Sequence, residues 1–286
     1  MSVDVLITKS ELENKPSAAT KRKRSIWGII WRAVMIAVIV ISLCTLALLY
    51  YVKVNFSEDI YVNGMSMYPT LNSDAKSLVV DGDYVEMFKD ADGYDFNKGI
   101  KKGDLVDYAL SDPRNNTLNK LSRFDIVVTY YESDYRDGKL KDNAVPKIKR
   151  LVGLPGETVE LGVDDTPMGV LKIDGEVVKQ PGNDIERFNA PLKRAGINTS
   201  YPLSKDDAAS SNWAGKEVVL GDDEYYVLGD NRFGYNSSDS RFVGPIKAEY
   251  IHAKFGFILG VCRIGDDGKT CKLTKYNIRW PSGGSN

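Results

Sequence analysis

One stretch stands apart in the pattern of apolar and polar positions. Residues 33–52 carry no charge and are mostly Val, Ile, Leu and Ala. As a helix, these twenty residues reach about 30 Å, the hydrocarbon thickness of a bilayer. The pattern therefore predicts a transmembrane helix. After Phe56 no helical period persists. Short β-branched and aromatic runs recur instead between Gly, Asp and Asn, which is strand patterning. The expected strands cover 60–62, 78–87, 125–131, 146–154, 157–161, 170–173, 176–179, 217–220, 225–228 and 251–259. Asp174-Gly175 between apolar runs is a hairpin signal. These runs predict a mostly β fold of coiled antiparallel sheets or a partly closed barrel. Two polar segments, 88–121 and 180–215, read as insertions or surface loops.

The flanks of the apolar span give it a direction. Lys21-Arg22-Lys23-Arg24 and Arg32 precede it, while Glu58 and Asp59 follow soon after. Trp27 and Trp31 mark one end and Tyr50 and Tyr51 the other, as in an aromatic belt. Positive charge stays on the cytosolic side. The expected order is a cytosolic tail at 1–24, an anchor at 25–53 and an extracytoplasmic β-rich domain at 54–286. A cleavable signal peptide is the competing reading, with Thr45-Leu46-Ala47 as its cleavage pattern. The apolar run is longer than the usual h-region of about 7–15 residues, which favours the anchor.

Composition narrows the chemistry. The formal net charge is −1 and the basic residues are dispersed, so nucleic acid is not an expected partner. The chain has one histidine, His252, so a His-His zinc site is excluded and no metal is expected. A Ser-His-Asp triad would have to use His252, which lies in a strand-like run suited to a structural role. Cys44 sits inside the apolar span, where it reads as a small apolar residue. Cys262 and Cys271 flank a turn-rich stretch whose two strands can oppose them. Outside the cytosol they can pair; inside it they would stay thiols.

A serine nucleophile without histidine needs another base, and a neutral lysine can serve. Burial disfavours the ammonium form and lowers a lysine pKa by up to several units. Lys149 lies in Lys147-Ile148-Lys149-Arg150-Leu151-Val152, where strand alternation puts Lys147, Lys149 and Leu151 on one face. Most strand lysines are merely solvated, and neither Ser66 nor Lys149 is informative by itself.

Their surroundings carry more. Ser66-Met67-Tyr68-Pro69-Thr70-Leu71 resembles the nucleophile box of type I signal peptidases. Arg123-Phe124-Asp125-Ile126-Val127-Val128 resembles the next box, with Phe124 where a glycine is usual. Lys149-Arg150-Leu151-Val152-Gly153-Leu154-Pro155-Gly156-Glu157 resembles the lysine box. Gly229-Asp230-Asn231-Arg232 and Ser237-Ser238-Asp239-Ser240-Arg241 resemble the last one. The boxes occur in the family's order, behind the apolar span.

The resemblance implies the signal peptidase fold and a Ser-Lys endopeptidase of the cell membrane, acting on signal peptides of secretory preproteins without a cofactor. It makes Ser66 the nucleophile and Lys149 the general base. It gives Ser237 the role of orienting the Lys149 amine, although Phe233-Gly234-Tyr235-Asn236 lengthens the spacer and leaves Ser238 as the alternative. Asp239 with Arg241, and Asp230 with Arg150, match supporting ion pairs. Gly64, Met65 and Met67 would border the oxyanion and substrate positions, and the Ser66 N–H would face the oxyanion. Three other readings share these residues in part: a peptidase restricted to surface or pilus subunits, a cytosolic self-cleaving Ser-Lys repressor, and an inert anchored β scaffold. The apolar span argues against the repressor.

Overall fold

The computed structural model describes residues 26–62, 64–72, 105–162, 170–180, 186, 216–232, 237–267 and 270–281. The expected strand at 78–87, the tail at 1–24, the spacer 233–236 and nearly all of 180–215 lie outside the described residues. The chain divides into two units, Met1–Tyr51 and Val52–Asn286. In the first, the apolar span belongs to helix α1, Ile26–Asn55. The side chains of residues 26–51 are exposed, and the helix's mean hydropathy reaches 2.7 over its most apolar stretch. The helix is long and apolar enough to cross a membrane.

The second unit is mostly β. Its strands are β1 Glu58–Tyr61, β2 Leu105–Asp112, β3 Ile126–Thr129, β4 Tyr135–Arg136, β5 Lys139–Leu140, β6 Lys147–Gly153 and β7 Thr158–Gly162. Then follow β8 Val170–Ile173, β9 Glu176–Val178, β10 Glu217–Val219, β11 Glu224–Leu228, β12 Ile246–Lys247, β13 Ile251–Ile264 and β14 Cys271–Arg279. Among the described residues every strand pairing is antiparallel. The main sheet runs β1-β2-β13-β3-β6-β11-β12, with β14 added to β13, and curls as a half-barrel. A smaller sheet runs β10-β7-β8-β9, with Asp174-Gly175 at the β8–β9 turn. This is the expected fold class.

Strand β13 organises the main sheet. Lys254 pairs with both Asp112 and Val127, so β2 and β3 lie on opposite edges of β13. Ile258 pairs with Ala109 and Arg279, so β14 takes over from β3 on the same edge. Register shifts along β13 mark irregularities of the kind that increase strand twist. Between the sheets, Val152, Val159, Leu171, Leu220, Tyr226 and Leu228 form one core.

The expectation of a loop over 88–121 is corrected at residues 105–112, which form β2 between β1 and β13. The segment looks polar because Asp107, Ser111 and Asp112 are buried with partners rather than solvated. Cys262 and Cys271 form a disulfide across the β13–β14 hairpin, with Cα atoms 5.5 Å apart. Trp280 packs against Phe257, whose ring also meets Phe56.

Candidate active site

The loop after β1 is wound tightly around Ser66. Tyr68 N donates to Met65 O at 3.0 Å, Thr70 N to Met67 O at 2.9 Å and Leu71 N to Met67 O at 3.0 Å. Met65, Met67, Tyr68 and Leu71 are buried, which leaves Ser66 as a half-exposed side chain among anchors. Gly64 enters the loop at φ +147°, a conformation open to glycine and strained for other residues. Met67 lies in the core with Val62, Leu71, Ile126, Ile148 and Ile258.

Lys149 comes from the interior of the main sheet. Strand β6 pairs with β3 on one side, Lys149 facing Val127, and with β11 on the other. The side chain is buried, and Nζ lies 3.0 Å from Ser66 Oγ. It also donates to Ile148 O at 3.0 Å. Burial is the main reason its pKa falls from 10.5 to about 8. The Asp239 carboxylate works against that fall, while Lys147 and Arg241 add to it. Lys147 is itself paired with Asp134 and sits over the Tyr131 ring.

Two buried ion pairs flank this contact. Arg150, on the opposite face of β6, bonds Asp230 at 2.7 and 2.6 Å, and Thr70 donates to the same carboxylate. Arg150 Nη1 also reaches Phe124 O at 2.8 Å. Phe124 holds φ +72°, a conformation the family's usual glycine takes without steric cost. Arg241 bonds Asp239 at 2.8 and 2.9 Å, and Gly229 N donates to Asp239 at 2.8 Å. Burial alone would raise the pKa of both aspartates. The paired arginines and donated hydrogen bonds outweigh it and hold both carboxyls below the usual range.

Ser237 and Ser238 differ in burial: Ser237 is buried and Ser238 is exposed. The backbone oxygen of Ser238 accepts from the Tyr131 hydroxyl. Ser237 Oγ faces the Asp239 carboxylate but has no hydrogen-bond partner of good geometry, Lys149 included. His252 lies on β13 with half-exposed Nε2 2.8 Å from Glu58, its ring edge against Tyr130.

Sequence reasoning gave no role to three residues that hold this geometry. Asn231 N donates to Ser66 O at 3.0 Å, and its Nδ2 donates to Met65 O at 3.1 Å. A Cβ on Gly229 would fall 2.4 Å from Ser66 O and 2.2 Å from Ser237 Oγ, so only glycine lets these loop segments meet. Thr70 joins the Ser66 loop to the Arg150–Asp230 pair. All three stood inside the quoted boxes, which was the available signal.

The family model described as signal peptidase, peptidase S26, matches residues 32–259. The chain belongs to this family. Over 231 residues it is 29% identical to a signal peptidase I of Bacillus amyloliquefaciens, covering 80% of this chain and 83% of that protein. It is 30% identical over 151 residues to signal peptidase I P of Bacillus subtilis subsp. natto, covering 51% of this chain. A second Bacillus amyloliquefaciens signal peptidase I is 33% identical over 129 residues, 44% of this chain. These last two matches span 66% and 58% of the relatives' own lengths. The crystal structure of a signal peptidase I from Enterococcus faecalis V583 matches with 27% identity and a TM-score of 0.32. That match covers 48% of this chain and 97% of the other.

Proposed function

We propose that the chain is a membrane-anchored serine endopeptidase that removes N-terminal signal peptides from exported preproteins. The observation that carries this reading is the 3.0 Å contact between Lys149 Nζ and Ser66 Oγ, made by a buried lysine. Family membership supports the substrate class. Ser66 is the nucleophile and Lys149 the general base. The neutral amine takes the Oγ proton as Oγ attacks the carbonyl carbon before the scissile bond. The resulting ammonium gives that proton to the leaving amine, and an acyl-enzyme remains. Water, deprotonated by the same lysine, then releases the signal peptide and frees Oγ. The Ser66 N–H is the donor for the developing oxyanion. Among the described residues nothing lies within 4 Å of a Cβ built on Gly64, which lets an extended substrate lie close to the loop.

Helix α1 is the anchor, with its N-terminus in the cytosol and the β-rich unit outside. The basic run before the helix supports this direction, and so does the disulfide, which suits an oxidising compartment. Enzyme and preprotein then share one bilayer, which raises their effective concentration. Purified Ser66→Ala and Lys149→Ala, checked for folding by circular dichroism, should each fail to cleave a preprotein carrying an Ala-x-Ala site. Substantial cleavage by either folded variant would sink the Ser-Lys assignment.

A further inference from the structure

We propose that Asn72, Asp107 and Arg279 form a clamp that holds the Ser66 loop in register, with Arg279 a positioning residue for cleavage. The proposal rests on Ser66 being the nucleophile. Asn72, at the far end of the described part of the loop, is fully buried and in the left-handed region at φ +61°. Asparagine tolerates that conformation better than most residues. Its Nδ2 donates to Val62 O at 2.8 Å and to Gly64 O at 2.9 Å, so one amide group holds the entrance of the loop from its exit. Its Oδ1 accepts from Asp107 N at 2.8 Å, and its own backbone N donates to Asp107 Oδ2 at 2.7 Å. Val62 N bonds Asp107 O at 2.9 Å, which ties the same β2 residue to the loop entrance.

Asp107 is a buried carboxylate, and its other oxygen accepts from Arg279 Nη2 at 2.6 Å. Arg279 belongs to β14, while β2 lies on the opposite edge of β13. The guanidinium therefore reaches across β13 to neutralise a charge that faces the loop. A buried carboxylate stripped of its cation must find other donors or take up a proton. The Asn72 backbone N already donates to this carboxylate, so loss of Arg279 is felt at Asn72. Asn231 holds Ser66 O from the other side. Among the described residues, Asn231 thus holds Met65 and Ser66, while Asn72 holds Val62 and Gly64 and is itself tied through Asp107 to the C-terminal strand. That strand lies beyond residues 32–259, the stretch matched to the family.

The test uses the full chain in detergent, with kcat and KM measured separately on a preprotein carrying an Ala-x-Ala site. Amide hydrogen exchange is followed across 64–72 and, as an internal control, across β7 and β8. Displacement of a reacting group by about 1 Å can lower a rate by about a hundredfold. Arg279→Gln should lower kcat by roughly ten- to a hundredfold with KM changed less than about threefold. It should also speed exchange at the loop amides without affecting β7 and β8. Arg279→Lys, which restores a cation for the single contact, should recover most of kcat. An unchanged kcat with unchanged loop exchange overturns the proposal. So does a loss of kcat in which loop and control amides loosen alike, because that is general destabilisation. If Arg279→Gln does not fold, the double variant Asp107→Asn/Arg279→Gln removes the buried charge together with its partner and is judged by the same kcat and loop-exchange criteria. Should the wild type cleave no preprotein, the peptidase reading falls, and loop exchange still decides whether the clamp exists.

Discussion

A buried lysine should cost this protein stability at neutral pH, and the cost can be measured by replacing Lys149 with methionine. Methionine matches the length of the lysine stem and carries no charge. Burial lowers the pKa of Lys149 from 10.5 to about 8 in the folded chain. In the unfolded chain the ordinary value applies, so between those pH values the unfolded state binds more protons and stability rises with pH. The contribution is fully present above the unfolded pKa and is lost as pH falls through the folded one. A gap of about 2.5 pH units corresponds to about 3 kcal/mol. Methionine also removes the contacts with Ser66 Oγ and Ile148 O, which offsets roughly 1 kcal/mol of the gain.

Lys149→Met should therefore be inactive, yet about 2 kcal/mol more stable than the wild type at pH 7. That advantage should shrink as pH rises and be gone by about pH 10.5. Urea unfolding of both proteins in detergent, followed by circular dichroism at several pH values, measures the difference directly. All other titrating groups are shared, so they cancel to first order. Equal stability at pH 7, or a gap that does not change with pH, would refute the claim that burial is what makes Lys149 a base.

Two further expectations follow from the neighbours of the site. Lys147 lowers the Lys149 pKa and is partly neutralised by Asp134, so Lys147→Gln should move the acid limb of kcat/KM upward and Asp134→Asn should move it downward. Each shift should be about half a pH unit, because the charge is partly screened by solvent; shifts of the same sign would contradict the argument. Gly229→Ala places a Cβ against Ser66 O and Ser237 Oγ, so it should lose about 1–3 kcal/mol of stability and most of kcat. Wild-type kcat in that variant would show that these loop segments can part without harm.

The elements that were legible in the sequence are those whose signal is local. Residues 33–52 needed only their own hydropathy, and the β8–β9 hairpin needed only Asp-Gly between apolar runs. Lys149 was legible through alternation on β6, which puts it with buried Leu151 and away from Arg150. The Asn72–Asp107–Arg279 chain was not legible, because its members are 35 and 172 residues apart and no periodicity links them. The same pairing disguised β2, whose buried aspartates look solvated in the sequence. Strand β14 was missed for the opposite reason: its apolar Tyr276 and Ile278 face outward, so its pattern did not resemble a core strand.

What keeps Lys149 from forming an ion pair is the prior commitment of the carboxylates around it. Asp239 is close enough to raise the lysine pKa, yet its two oxygens already receive Arg241 and the Gly229 N–H. Asp230 is held by Arg150 and Thr70 on the other face of β6. Strand alternation makes this separation automatic: adjacent residues Lys149 and Arg150 point to opposite faces, so the arginine's carboxylate cannot also serve the lysine. Among the described residues, no carboxylate pairs with Lys149 in an ion pair. The arginines thus have a role beyond rigidity. By occupying the buried anions, they leave the lysine with a serine hydroxyl and a backbone carbonyl as its partners. Neither partner stabilises an ammonium as a carboxylate would, so burial prevails and lowers the pKa to about 8.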